Sequence, residues 1–141
     1  MTVDSETFLN YFSTLPIGLY PGARKLLQTV RPHYKTALFS NSNVIHWERK
    51  MNEMQLAPLF DYKFASHLMG VAKPEPLAYK KVLGELSVPA SQVLFFDDNQ
   101  INVSAALDMG IYAFRLTGFT ALVDKLAELG VYPVPNPDGV T

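Results

Sequence analysis

The 141-residue chain is predicted to be an α/β protein, a mainly parallel sheet covered by helices on both faces. Three observations predict this. The strand candidates are apolar throughout, as strands buried on both faces are. Segments with helical spacing separate them, which is the pattern of crossover connections between parallel neighbours. The polar residues gather just beyond the strands, where ligands bind in such sheets.

The elements follow in order. Phe8, Tyr11, Phe12 and Leu15 recur at helical spacing, and Pro16 closes that segment. Pro21-Gly22 opens a second helix with Ala23, Leu26, Leu27 and Val30 on one face. The run YKTALFS, residues 34–40, reads as a buried strand. Val44, Trp47, Met51 and Met54 lie on one side of a helix expected over residues 44–55. Phe60, Tyr62 and Phe64 alternate, which predicts a short strand around DYKFA. Tyr79, Val82, Leu83 and Leu86 mark a helix introduced by Pro74 and Pro76. VLFF is a strand, and Gly110 ends the helix after it. IYAFRL is another strand; Phe119, Leu122, Val123, Leu126 and Leu129 then form a helix that Gly130 stops. The tail from Val131, with prolines at 133, 135 and 137, is expected to be extended.

Composition narrows the function classes. Hydrophobic residues at 48% and charged residues at 18% describe a soluble globular chain. A formal net charge of -1 gives no reason to expect nucleic acid or an anionic membrane as partner. There is no cysteine, so thiolate nucleophiles and cysteine-based zinc sites are excluded. No apolar stretch approaches a membrane span, and a cytoplasmic protein is expected.

Three polar stations stand beside the strands and helix starts. In SNSN, residues 40–43, the hydroxyl of Ser40 and amide of Asn41 suit an oxyanion, or one of the four simply caps the following helix. In AKPEP, Lys73 could offset a phosphate or developing negative charge, or be a surface lysine in a turn. In DDNQIN, Asp97 and Asp98 end a buried strand, and Asn102 lies four residues beyond Asp98. Converging hard oxygens of that kind suit Mg²⁺, with water and substrate phosphate completing its shell. The alternative is that Asp98 caps a helix while Asp97 is solvated. His33, His46 and His67 share no metal-ligand spacing, although His46 is close enough to the SNSN loop to line a pocket.

Taken in order, ALFSNSN, KPEPLAY and VLFFDDNQINVSAALDMGI resemble the second, third and fourth motifs of the haloacid dehalogenase-like superfamily. The likeness is to its cytosolic phosphatase and epoxide hydrolase amino-terminal-domain branch, and it runs from about Tyr20 to about Gly130. It implies a Rossmann-like core and Mg²⁺-dependent hydrolysis of a small phosphorylated metabolite. By that resemblance Ser40, Asn41 and Lys73 bind the phosphoryl group, and Ser40, Lys73 and Asp97 serve catalysis. Asp98 is the metal ligand, with Asp97 and Asn102 in support.

The resemblance also implies a deficit. The superfamily's first motif, a strand ending Asp-x-Asp that supplies the nucleophile, has no match; the early VDSET, with Asp4 and Glu6, lacks the apolar strand that should precede it. Residues 1–19 therefore read as a remnant of a cap helix and linker, 20–130 as the core and 131–141 as a tail. The usual first central strand and most of the cap are expected to be missing. That would leave two apolar strands with unpaired edges, so a homo-oligomer formed through those edges, or a rearranged sheet, is expected. Two functions fit: the core of a phosphohydrolase that is inactive or nearly so without its nucleophile, or a shortened module that binds phosphate and metal or serves assembly.

Overall fold

The computed structural model describes residues 8–11, 22–53 and 57–131. Five parallel strands form one sheet: β1 (Phe8–Tyr11), β2 (Lys35–Ser40), β3 (Tyr62–Ala65), β4 (Val93–Asp97) and β5 (Tyr112–Arg115). Their spatial order is β3-β2-β1-β4-β5. The α-helices between and after them are α1 (Ala23–Val30), α2 (Val44–Glu48), α3 (Ser66–Met69), α4 (Pro76–Leu86), α5 (Gln100–Asp108) and α6 (Phe119–Glu128). A π-helical turn, Arg49–Glu53, extends α2 along most of the helix expected there.

The period-two geometry of a strand sends successive side chains to opposite faces, and two buried clusters result. Leu38, Leu94 and Phe96 pack with Leu26, Leu27 and Val30 of α1 and Leu122 and Leu126 of α6. Ala37, Phe39, Val93 and Phe95 pack on the other face with Tyr79, Val82 and Leu86 of α4 and Val103 and Ala106 of α5. Both faces are thus covered, as strands without alternation require. Phe39, Tyr79 and Phe95 form a triangle of aromatic rings with centroids 5.5, 5.9 and 6.2 Å apart. Val44 does not join the core; it is 57% exposed at the start of α2.

The amino-terminal segment corrects two expectations. The part of the expected helix Phe8–Leu15 that is described is a strand, and the central slot is filled. Phe8 pairs with Lys35 on one side and Val93 on the other, and the β4 ladder runs on to Tyr11 opposite Phe96. The physical reason is the deficit itself. Unpaired backbone groups on the facing edges of β2 and β4 would cost about 1–3 kcal/mol each, and a short apolar run whose spacing suits either helix or strand takes the conformation that pairs them. The sheet is continuous, so the reason for expecting a second copy at that gap falls away. The rest of residues 1–19, expected to be a cap remnant, and the tail beyond Val131 lie outside the described residues.

A proline test separates the two placements of the amino-terminal segment. Leu9→Pro removes a backbone N–H from a strand paired on both sides, so urea unfolding should show a loss of about 1–3 kcal/mol or more. A segment outside the sheet would accept the substitution silently.

Candidate functional site

The carboxyl ends of β2 and β4 flank β1, which places the site at the point where strand order reverses. The loop that carries Lys73 is fastened there by its backbone. Asn41 Nδ2 donates to the Lys73 carbonyl at 3.0 Å, and the Lys73 N–H donates to Asn41 Oδ1 at 3.0 Å. This reciprocal pair spends both halves of the Asn41 amide on holding Lys73 in position.

The Lys73 ammonium then reaches between two strands that are not neighbours. It donates to the Phe39 carbonyl on β2 at 2.9 Å and to Asp97 Oδ2 on β4 at 2.8 Å. β1 lies between those strands, so the ammonium sits over its carboxyl end. The rings of Phe39 and Phe95 lie 4.9 and 5.5 Å from the ammonium, close enough for favourable cation–π contact. Neither the Lys73 nor the Asp97 side chain is exposed.

Asp97 is satisfied from several directions. Its Oδ2 also accepts from Asn102 Nδ2 at 3.2 Å, and its Oδ1 accepts from the Asn99 N–H at 2.9 Å. Tyr79 supports Asn102 in turn, its hydroxyl donating to the Asn102 carbonyl at 2.8 Å. Burial, and secondarily the nearby Asp97 charge, push the Tyr79 phenol above its ordinary range, so it stays protonated.

The expected site residues therefore divide. Ser40, Asn41, Lys73, Asp97 and Asn102 come together at one edge, and Ser40 is fully buried. Asp98 faces outward, and its carboxylate has no hydrogen bond among the described residues; its carbonyl accepts from Arg115 Nε at 3.0 Å. The caps are Asn43 for α2, accepting from the His46 N–H, and Asn99 for α5, accepting from the Ile101 N–H. Neither Ser40 nor Asp98 is a cap. His46 is exposed, and its backbone N–H donates to Asn43 Oδ1.

Three partners escaped the sequence reading. Tyr79 fits the apolar face of its helix by spacing, and its hydroxyl, which must find a partner when buried, is the signal of its second role. Arg115 ends a strand at the same edge, and Ser66 begins a helix there. Both positions were legible once the carboxyl ends of the strands were aligned.

Among the described residues no group of three or more histidine, cysteine or acidic side chains could hold a metal. The donors present still fit a hard cation that keeps most of its own water: Asp98 offers an exposed carboxylate, with Asp97 and Asn102 behind it. Charge points the same way. Lys73 and Arg115 offset Asp97 and Asp98, so the edge is close to neutral. A phosphate monoester, with a charge of about -1.5 to -2, gains little there until a divalent cation is added.

Two outcomes follow from this geometry. Lys73→Met should destabilise the fold by about 3–5 kcal/mol, because it strands a buried carboxylate. Adding Asp97→Asn should recover a large part of that loss, a coupling that a double-mutant cycle in urea measures. The raised Tyr79 phenol makes stability full below about pH 10, the ordinary phenol value, and falling above it as the unfolded chain releases that proton. Tyr79→Phe should reduce the alkaline slope by up to one proton, read from unfolding between pH 9 and 11.

Comparison with known proteins agrees with the geometry. Residues 4–110 match the family model of haloacid dehalogenase-like hydrolases. The chain is 28% identical over 112 residues to a chloroplastic flavin mononucleotide hydrolase of Arabidopsis thaliana, covering 78% of this chain and 45% of that one. It is 32% identical over 117 residues to a phosphatase of Mycobacterium tuberculosis, covering 79% and 54%. It thus spans about half the length of these relatives. A haloacid dehalogenase-family enzyme of Bacteroides thetaiotaomicron, crystallised with magnesium and inorganic phosphate, superposes with a TM-score of 0.67 at 27% identity, covering 72% of this chain and 55% of that one. With the three stations gathered at the switch point of a parallel sheet, the chain belongs to the haloacid dehalogenase-like hydrolase family.

Proposed function

We propose that this chain is the phosphate-recognition core of a phosphate-ester hydrolase acting on a small phosphorylated metabolite in the cytoplasm. The observation that carries the reading is the Lys73 ammonium, fixed by β2 and β4 over the end of the central strand. Ser40, Asn41 and Lys73 would receive the phosphoryl group. Asp98 would hold Mg²⁺, supported by Asp97 and Asn102. When bound, Mg²⁺ supplies the positive charge that the nearly neutral edge lacks. No helix among the described residues is long and apolar enough to cross a membrane.

A second reading is favoured by a different observation. The sequence contains no Asp-x-Asp, and the strand in the central slot reads Phe-Leu-Asn-Tyr, without a carboxylate. Asp97, the buried carboxylate at that edge, is held by Lys73, Asn102 and Asn99. The residues in hand therefore suit binding better than covalent transfer, and phosphoryl turnover by this chain alone is expected to be absent or very slow.

A generic aryl phosphate assayed with Mg²⁺ decides between the readings. The expected result is no turnover above background, with inorganic phosphate binding that requires Mg²⁺ and weakens about tenfold or more in Asp98→Ala. Turnover that Asp98→Ala abolishes would overturn the binding-only reading and make Asp97 the first nucleophile to test. Phosphate binding indifferent to both Mg²⁺ and Asp98 would sink the metal assignment.

A further inference from the structure

The loop that joins β2 to α2 is held in place from outside its own strand. The Ser42 N–H donates to Ser66 Oγ at 2.9 Å, and the Ser66 hydroxyl donates back to the Ser42 carbonyl at 3.0 Å. His67 Nδ1 lies 3.1 Å from that same carbonyl. A carbonyl oxygen only accepts, so Nδ1 carries a proton, and in the neutral ring Nε2 is the bare nitrogen. Trp47, on α2, meets the imidazole edge-on with ring centroids 6.1 Å apart, which fixes the plane of the ring.

The neighbouring residues of the loop are committed in other directions. Asn41 is spent on the Lys73 backbone, and Asn43 on the first turn of α2. Within the loop, the described hydrogen bonds from α3 fall on Ser42. The sheet does not need this contact, because β2 and β3 already pair from Ala37 opposite Tyr62 to Ser40 opposite Ala65. What the clamp decides is the path of the chain just beyond Ser40.

We propose that Ser66 and His67 are positioning residues that hold the Ser40–Asn43 loop in the shape that receives a phosphoryl group. The proposal rests on the phosphate-recognition reading given above. Ser66 acts through the backbone N–H and carbonyl of Ser42, and His67 adds a second donor to that carbonyl. Neither touches the phosphoryl group.

The test titrates inorganic phosphate, with Mg²⁺ present, into the full chain and four variants. Ser66→Ala should weaken binding about tenfold, and Ser66→Thr, which keeps the hydroxyl, should restore most of it. His67→Ala should weaken binding, whereas His67→Asn, which keeps a donor near the Nδ1 position, should bind like the parent chain. Two signals independent of phosphate accompany the titration. The Ser42 amide should lose exchange protection in Ser66→Ala, and the nitrogen shifts of the His67 ring should report a protonated Nδ1. Loss of Ser42 protection without loss of phosphate affinity would overturn the positioning role, and so would a ring protonated at Nε2 alone. Failure of the parent chain itself to bind phosphate would instead bring down the phosphate reading, and the positioning role with it.

Discussion

The rest of the structure depends on one buried ion pair. Lys73 and Asp97 meet at 2.8 Å with neither side chain exposed. Such a pair is weak evidence of net stability, since desolvating two charges offsets much of their attraction, yet leaving either partner alone is costly. Its value here is as a constraint. The ammonium can satisfy Phe39 on β2 and Asp97 on β4 together only if both strands stop at the same level on either side of β1. The reciprocal Asn41–Lys73 contact then fixes where the lysine loop crosses that edge.

The aromatic core makes this constraint possible. Phe39 and Phe95 point to the face covered by α4 and α5, and with Tyr79 they close a wall of rings beside the ammonium. Those rings exclude water, which strengthens the Lys73–Asp97 attraction, and their faces offer the ammonium a partner that does not compete for its protons. Tyr79 serves both roles, as a core ring and as the donor that holds the Asn102 backbone behind Asp97. A packed core and a polar site are therefore built from the same side chains.

Much of this was legible in the sequence, for physical reasons that also set its limits. Residues 37–39 and 93–96 are unbroken apolar runs, so the polar residues that end them, Ser40 and Asp97, had to lie at the sheet edge. The lysine before two prolines had to lie in a loop. What spacing could not decide was direction. Two adjacent aspartates look alike in a sequence, whereas strand pleat and the start of α5 turn Asp97 inward to Lys73 and Asp98 out to solvent. The central strand was misread because residues 8–11 satisfy a helical period equally well. The need of β2 and β4 for partners is a tertiary demand that no local pattern displays. Ser66 and Tyr79 were hidden for a simpler reason: each looks ordinary until the loop or carbonyl it serves is brought beside it.

The charge balance of the edge bears on how it would take a ligand. Asp97 already neutralises the buried Lys73 ammonium, so an arriving phosphate would share Lys73 with a carboxylate that is also held by Asn102 and Asn99. Two anions competing for one cation in a dry site repel each other strongly, because the local dielectric is low. Binding is then favourable only if further positive charge arrives with the phosphate or if Asp97 is displaced. Displacement would strand three donors at once, so added charge is the less costly course. On the proposed reading Asp98, exposed beside the pair, would accept that charge, which would join the outward turn of one aspartate to the inward turn of the other.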